Sequence, residues 1–344
     1  MRRFVRPALY AILLLALGAR AAVAQEQRFA GLGNFRLESG EVLRDCRIGY
    51  RTFGTPNKDR SNVVLVTTWA SGTTEQWVGN LGPGRLIDST KYFVVAVDAL
   101  ANGVSSSPSN SRRQPRMRFP KVTIRDMVNT QHRLLTTVLG VSHVKAVAGL
   151  SMGGMQTFQW LVSYPDFMDK AVSIIGSPRL APYDLLHWQT QLDAIFRDPD
   201  WRRGNYVRNP ARVAEAEFGA LLLTTPEEYN KRMTREKVFE ELEKAKSATG
   251  GYDANNKIRQ VQAMMALDVT EGFGGSLERA AAAVRAEVFV IVASKDHVVT
   301  PGPAVEFARH LRRSKLLVLD NDCGHNAPWC EQQRVGKAVA EFLD

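Results

Sequence analysis

The sequence predicts an α/β fold, with a mostly parallel sheet flanked by helices and one helical insertion. Two observations predict this class. Short apolar runs rich in β-branched residues alternate with segments of helical spacing over most of the chain. The alternation stops between residues 178 and 276, where the sequence is helical, polar and irregular. We therefore expect one α/β core formed by residues 25–177 and 277–344, with residues 178–276 inserted as a helical lid.

The individual elements follow from local pattern. Residues 62–69 and 92–100 are continuous apolar runs, typical of strands buried on both faces. Apolar residues with helical spacing predict a helix over 122–139, and Gly140 ends it. The other predicted strands are 35–38, 46–53, 144–150, 171–175, 287–294 and 316–319. The other predicted helices are 152–164, 236–246, 303–311 and 332–343.

The first 24 residues have the pattern of a secretory signal peptide. Three early arginines precede a short apolar run, and Ala22-Val23-Ala24 then supplies small residues at a cleavage site. The alternative is an N-terminal membrane anchor, but the apolar run is shorter than the roughly 20 residues that a spanning helix needs. We therefore expect cleavage after Ala24, export to the periplasm or medium, and no stable membrane insertion afterwards.

Composition excludes several classes of function. The 344 residues are 44% hydrophobic and 23% charged, with a formal charge of +10. Removing residues 1–24 removes four arginines and no acidic residue, which lowers this charge to +6. No basic stripe interleaved with aromatic residues is present, so we expect no nucleic-acid partner. The spacing of cysteine and histidine predicts no metal site, and no motif calls for a cofactor.

The three cysteines are Cys46, Cys323 and Cys330. Exported proteins form disulfides, and the last two cysteines lie close enough in sequence to pair. Three buried, reduced thiols are the alternative. The sequence leaves the two states open.

The strongest chemical motif is Gly149-Leu150-Ser151-Met152-Gly153. It follows a predicted strand and opens a predicted helix, which is the setting of a nucleophilic serine on a strained turn. Side chains at the flanking positions would clash there, and glycine relieves the crowding. A tight glycine turn with a capping serine is the alternative. The context favours Ser151 as the catalytic nucleophile.

The serine needs a base and an acid, and in the fold typical of this motif they follow it in the order acid, histidine. His325 comes after the last predicted strand on a loop with a flexible glycine, so it is the predicted base; His297 is the main rival. Asp296 ends the strand at 287–294 and is the predicted acid, whose task is to orient the imidazole. Asp320 and Asp322 are rivals that lie too near His325 in sequence.

A tetrahedral oxyanion needs two N–H donors. The residue after the nucleophile supplies one, which assigns Met152. The loop after the strand at 62–69 should supply the other, and we assign Ala70 with Trp69 as second choice.

At this level of detail the chain resembles the homoserine O-acetyltransferases. The matching segments are 147–156 around the serine, 119–128 with Gln131, Asp198-Pro199-Asp200-Trp201 with Gly204 and Tyr206, and Gly324-His325. The resemblance spans nearly the whole mature chain. It implies an α/β-hydrolase fold with a helical lid and an acyl-enzyme on Ser151.

The chain departs from that family where the family holds homoserine. Members carry an aspartate directly after the catalytic histidine, and here Asn326 stands there. Members carry a lid arginine that binds the substrate carboxylate, and the nearest segment here, 223–226, has none. The family's oxyanion loop is replaced by 68–72. Each loss of a charged partner should cost a few kcal/mol of specific binding.

These departures favour a hydrolase. Acetyl-CoA is a cytoplasmic donor that an exported enzyme would not meet, and water is then the natural acceptor. We expect an exported serine esterase acting on a small-molecule ester. An O-acyltransferase using homoserine or another small alcohol is one alternative, and a catalytically silent binding protein is another. A homodimer is compatible with the sequence, which determines neither the oligomeric state nor the acyl and alcohol groups.

Overall fold

The computed structural model describes residues 26–247 and 251–344. The predicted signal peptide, residues 1–24, lies outside this range. In the described part, the strands are β1 (Arg28–Arg36), β2 (Val42–Phe53), β3 (Val63–Thr67), β4 (Phe93–Val97), β5 (Val144–Leu150), β6 (Met168–Ile174), β7 (Glu287–Ala293) and β8 (Ser314–Leu319). The helices are α1 (Thr74–Trp77), α2 (Ile124–Arg133), α3 (Met152–Ser163), α4 (Pro182–Arg197), α5 (Val213–Leu223), α6 (Pro226–Arg232), α7 (Arg235–Ser247), α8 (Ala254–Met265), α9 (Leu277–Ala282), α10 (Gly302–His310), α11 (Ala327–Cys330) and α12 (Gln332–Leu343).

The eight strands form one mostly parallel sheet in the order β1-β2-β4-β3-β5-β6-β7-β8. The first two strands are antiparallel to their neighbours, and β3 to β8 pair in parallel. Parallel pairing needs crossover connections, which explains why helices alternate with these strands. The predicted α/β class with a mostly parallel sheet is confirmed.

The central strands are apolar on both faces because helices cover both faces of the sheet. Val94 packs into one buried cluster and Val95 into the other, and Val64 and Leu65 divide in the same way. Both clusters combine strand residues with helical ones, such as Phe158 of α3 on one face and Phe342 of α12 on the other. The continuous apolar runs of the sequence are the consequence of this double burial.

The connection between β6 and β7 is expanded. We call residues 178–276 the lid segment; its described part contains α4 to α8 and no strand of the sheet. An isolated bridge between Arg179 and Asp268 brings its two ends together. The chain thus leaves the core at one point and returns beside it.

Several elements have bounds that differ from the sequence predictions; β2, for example, begins at Val42 rather than at residue 46. Two elements differ more. Strand β1 begins at Arg28 rather than at residue 35, because pairing with β2 extends it through a segment where Gly31 and Gly33 remove the alternating pattern. The predicted helix over 122–139 is α-helical as far as Arg133 and then forms a π-helical turn, Leu134–Val138. Among the described residues, no helix is both long enough and apolar enough to cross a bilayer.

Candidate active site

Ser151 lies on a sharp turn between β5 and α3. Its backbone has φ 55° and ψ −119°, in the region that non-glycine residues rarely adopt. A Cβ on Gly149 would lie 2.3 Å from the backbone of Gly153, and a Cβ on Gly153 would lie 2.7 Å from the carbonyl oxygen of Thr67. The two glycines of the motif are therefore required by close backbone approach, and they let the chain present the serine at the carboxyl end of the sheet.

The structure brings Ser151, His325 and Asp296 together. Nε2 of His325 lies 3.0 Å from Oγ of Ser151, and Nδ1 lies 2.7 Å from Oδ2 of Asp296. The three residues follow the carboxyl ends of β5, β7 and β8, three strands of the parallel part of the sheet in which β6 separates β5 from β7. Because parallel strands end at the same edge, residues far apart in sequence meet there.

The carboxylate of Asp296 is held from two sides. Oδ1 accepts the backbone N–H groups of Val298 and Val299, at 2.8 and 3.0 Å. A carboxylate only accepts, so Nδ1 of His325 carries its proton toward Asp296 and Nε2 is left to accept from the serine hydroxyl. All three side chains are largely buried, with 9%, 7% and 3% of Ser151, His325 and Asp296 exposed.

Two amides fit the predicted oxyanion site. Met152 begins α3, so its N–H has no partner within the helix. The N–H groups of Met152 and Ala70 make no hydrogen bond to the described part of the chain. The next amides along the loop are used elsewhere, since Ser71 donates to Oε1 of Gln260 and Gly72 donates to the carbonyl of Trp69. Both predicted donors are thus available, and Ala70 lines the cavity that Ser151 also lines.

The loop that carries His325 is closed by a disulfide. Cys323 and Cys330 are bonded, with seven residues of sequence separation, and they flank the histidine. Of the two states that the sequence leaves open, the structure has the bridge. Cys46 is a buried free thiol, and burial raises its pKa to about 12.

The rival candidates take no part in the hydrogen bonds between Ser151, His325 and Asp296. His297 contacts neither Ser151 nor Asp296 through a hydrogen bond in the described structure. Asp320 accepts the hydroxyl of Ser294. Asp322 pairs with Lys231 and Lys295, which hold the pKa of its carboxyl down at about 2.

The site opens into a cavity of about 520 Å³ between the core and the lid segment. Its core side includes Ser151, His325 and Asn326, and its lid side is formed mainly by α4, α5 and α8. Sequence reasoning missed the polar lid residues in this wall, namely Trp188, Gln191, Arg212, Glu215, Tyr252, Lys257 and Gln260. No spacing in the lid sequence marks them, because the packing of three helices brings them together. The described residues contain no cluster of side chains suited to hold a metal ion.

The segment 223–226, the nearest counterpart in the sequence of the transferases' carboxylate-binding segment, lies beside this site. Leu222 and Leu223 line the cavity, and Thr225 is bound through both its N–H and its hydroxyl to the carbonyl of Asp322. No arginine comes from 223–226. The exposed side chains of Arg202, Arg203 and Arg208 do not line the cavity.

Known proteins resemble this chain over most of its length. The family model for the alpha/beta hydrolase fold matches residues 62–331. The ethyl acetate hydrolase of Pseudomonas veronii is 32% identical, over 86% of this chain and 87% of that protein. A homoserine O-acetyltransferase of Chlorobaculum tepidum is also 32% identical, over 92% of this chain and 94% of that protein.

Solved structures give the same two groups. The acetyl esterase MekB superposes with a TM-score of 0.86 at 27% identity, covering 93% of this chain and 97% of that one. The homoserine O-acetyltransferase of Bacillus anthracis superposes with a TM-score of 0.83 at 25% identity, with the same coverage. The sheet order, the lid segment and these matches agree, and the chain belongs to the α/β-hydrolase family, in the branch that includes the homoserine O-acetyltransferases.

Proposed function

We propose that this protein is a serine esterase that transfers the acyl group of a small ester to water. The observation that carries the proposal is the hydrogen-bonded series from Asp296 through His325 to Ser151, which lines a cavity of about 520 Å³. This arrangement supplies a nucleophile, a base and an orienting acid.

Each group has a defined task in the proposed reaction. Oγ of Ser151 attacks the ester carbonyl while Nε2 of His325 takes its proton, and Asp296 stabilises the imidazolium that forms. The N–H groups of Met152 and Ala70 stabilise the oxyanion of the tetrahedral intermediate. The imidazolium then protonates the departing alcohol, leaving an acyl group on Ser151. Water, deprotonated by the same histidine, releases the acid.

The groups around the histidine favour water over homoserine as acceptor. Asn326 follows the histidine and lines the cavity; its neutral amide cannot pair with an ammonium as a charge. Leu223 lines the cavity, and the segment 223–226 to which it belongs contains no arginine that could bind the carboxylate of homoserine. The relatives named esterases or ester hydrolases fit this function.

A second candidate is O-acyl transfer to a small alcohol. Relatives named homoserine O-acetyltransferases match this chain as well as the ester hydrolases do, at 32% identity in each group. Both reactions pass through the acyl-enzyme. They differ in the molecule that then accepts the acyl group, which is water in one and the alcohol in the other.

The deciding experiment uses residues 25–344 with p-nitrophenyl acetate, with and without homoserine. We expect turnover that requires Ser151 and does not respond to homoserine, and no O-acetylhomoserine by mass spectrometry, also when acetyl-CoA is the donor. Ser151→Ala and His325→Gln should each lower kcat by at least about 10³-fold. His310→Gln is the matched control because His310 is exposed at the end of α10.

Formation of O-acetylhomoserine would establish the transferase instead. Turnover that persists unchanged in Ser151→Ala would refute both reactions. A silent protein would show no turnover with either acceptor.

We also propose that the enzyme is exported and loses residues 1–24. The proposal rests on the basic start, the short apolar run and Ala22-Val23-Ala24. Fractionation of a bacterium that expresses the full chain tests it. We expect a mature chain that begins at Gln25 outside the cytoplasm, and an intact Met1 in the cytoplasm would contradict it.

A further inference from the structure

Three charged side chains form part of the cavity wall on the lid side. Arg212 and Glu215 lie at the start of α5, with Nη1 of the arginine 2.9 Å from Oε2 of the glutamate. Lys257 of α8 contacts the other oxygen of Glu215. The side chain of Glu215 is 4% exposed, and those of Arg212 and Lys257 are 10% and 24% exposed. All three line the cavity that also contains Ser151 and His325.

The charges of this wall do not balance. Two cations share one carboxylate, and the described residues of the wall include no second acidic side chain. The carboxylate of Asp253 lies outside the wall, where it accepts the hydroxyl of Tyr206 and caps α8. Buried charge is costly unless it is paired. A bound anion in the cavity would supply the missing partner.

Two donors of the same wall have no acceptor. The Nε–H of Arg212 and the indole N–H of Trp188 are buried and make no hydrogen bond with the part of the chain that the structure describes. The rest of Arg212 is engaged, since Nη1 binds Glu215 and Nη2 donates to the carbonyl of Tyr252 at 2.7 Å. An unmet buried donor is unfavourable, and a ligand that brings an acceptor relieves it.

Building on the proposed ester hydrolysis, we propose that Arg212, Trp188 and Lys257 form a subsite for a carboxylate carried by the substrate. The substrate class is then an ester with one free carboxylate, whose carbonyl reaches Ser151 while its anionic end meets the lid. Apolar side chains such as Val261 and Met264 share this cavity and suit a short aliphatic chain between the two ends. The residues of the subsite lie on α4, at the start of α5 and on α8. The segment 223–226 contributes none of them.

The carboxylate can belong to either half of the ester. The two cases are a monoester of a dicarboxylic acid, such as ethyl hydrogen glutarate, and an acetyl ester of a hydroxy acid, such as 4-acetoxybutyrate. Each has a neutral counterpart of nearly equal size in which the carboxylate is an amide. Comparing kcat/KM within each pair isolates the charge and shows which half binds the lid.

We expect the wild-type mature chain to favour one anionic ester over its amide by about 10- to 100-fold in kcat/KM, through KM, because hydrogen bonds to charged groups are strong. Arg212→Gln should abolish this preference, so that the anionic ester and its amide have nearly equal kcat/KM in that variant. Arg208→Gln is the control, since that arginine is exposed in the same part of the lid.

Trp188→Phe separates recognition from folding. It removes the unpartnered N–H and keeps an aromatic ring in the wall. The smaller ring loses packing and should lower the melting temperature, but KM for the anionic ester should rise severalfold relative to KM for its amide. A purely structural role of Trp188 would leave the ratio of anionic to neutral ester unchanged. If Arg212→Gln does not fold, the wild-type ratio and this variant still decide the question.

The outcomes are distinct from those of the proposed function. The subsite would be refuted if neutral and anionic esters had equal kcat/KM and both variants behaved like the wild type. The proposed esterase activity would not be affected by that result. If no ester is hydrolysed, the subsite is tested by calorimetry, which measures the binding of ethyl hydrogen glutarate and of 4-acetoxybutyrate to the Ser151→Ala variant. Binding of either anion in preference to its amide supports the subsite, and equal or absent binding overturns it.

Discussion

His187 of the lid segment is hydrogen-bonded to Val298 of the core, with Nε2 2.9 Å from the carbonyl oxygen. Val298 also donates its N–H to Oδ1 of Asp296. Asp184, one turn earlier on α4, accepts the N–H and hydroxyl of Thr300 at 3.1 and 3.0 Å. Helix α4 therefore holds the loop that presents Asp296 to His325, and the lid supports the site mechanically as well as covering it.

The burial of His187 predicts a loss of stability in mild acid. Burial is the main cause that lowers the pKa of this imidazole, and it outweighs the charge of Asp296, which acts in the opposite direction. The unfolded chain has an ordinary histidine pKa of about 6.5, so below that pH it binds the proton more readily than the folded chain. The stability present above pH ~6.5 is then lost as pH falls toward the pKa of His187 in the folded protein. Burial lowers the pKa of His132 also, and adds in the same direction.

Urea unfolding at several pH values between about 5 and 7.5 measures this effect. The wild type should lose free energy of unfolding as pH falls, and His187→Gln should show a shallower slope. The exposed His310→Gln should retain the wild-type slope. Equal slopes in all three proteins would show that His187 does not titrate as argued.

Asp296→Asn should lower kcat for p-nitrophenyl acetate by roughly 10³- to 10⁴-fold while the protein stays folded. The asparagine oxygen can still accept from Val298 and Val299, but its amide donates, so Nδ1 of His325 can no longer direct its proton toward it. Asp320→Asn is the matched control, because that carboxylate only accepts Ser294. A greater loss of kcat in Asp320→Asn than in Asp296→Asn would show that Asp320 is the acid of the triad.

Gly149→Ala should destabilise the protein by about 3 kcal/mol or more, because the added methyl group would meet backbone atoms of Gly153 at 2.3 Å and Oγ1 of Thr67 at 2.4 Å. Gly302→Ala adds the same group at the start of α10, where nothing lies within 4 Å. Thermal unfolding of both variants checks the contrast. A Gly149→Ala protein as stable as Gly302→Ala would show that the elbow tolerates a side chain.

Reduction of the Cys323–Cys330 bond should lower stability by about 2–3 kcal/mol, since an unfolded chain regains the entropy of a short closed loop. Activity should fall too, because the loop carries His325. Cys330→Ser should reproduce both effects. Reductant added to Cys330→Ser is the control, since that variant has no Cys323–Cys330 bond left to reduce.

Thiol titration in denaturant tests the bridge independently of activity. The unreduced mature chain should show one reactive thiol and the reduced chain three, since the described structure pairs two of its cysteines. Three reactive thiols before reduction would rule the bridge out.

The sequence was sufficient for the core. The apolar runs at β3 to β7 and the glycines around Ser151 are local signals, because double burial and backbone crowding each restrict the residue at a given position. The order serine, acid, histidine then predicted Asp296 and His325. In the structure His325 lies within hydrogen-bond distance of both Ser151 and Asp296. The resemblance to the homoserine O-acetyltransferases was likewise visible in short motifs.

Tertiary structure alone decided the composition of the lid wall. Trp188 and Lys257 lie on α4 and α8, Arg212 directly precedes α5, and nothing in their spacing relates them to Ser151. Their convergence depends on how α4, α5 and α8 pack on the core, which is a long-range property that short sequence periods do not encode. The support of Asp296 by His187 was decided in the same way, because it depends on how α4 packs on the core. Local chemistry thus determined the reacting groups, whereas helix packing determined what surrounds them.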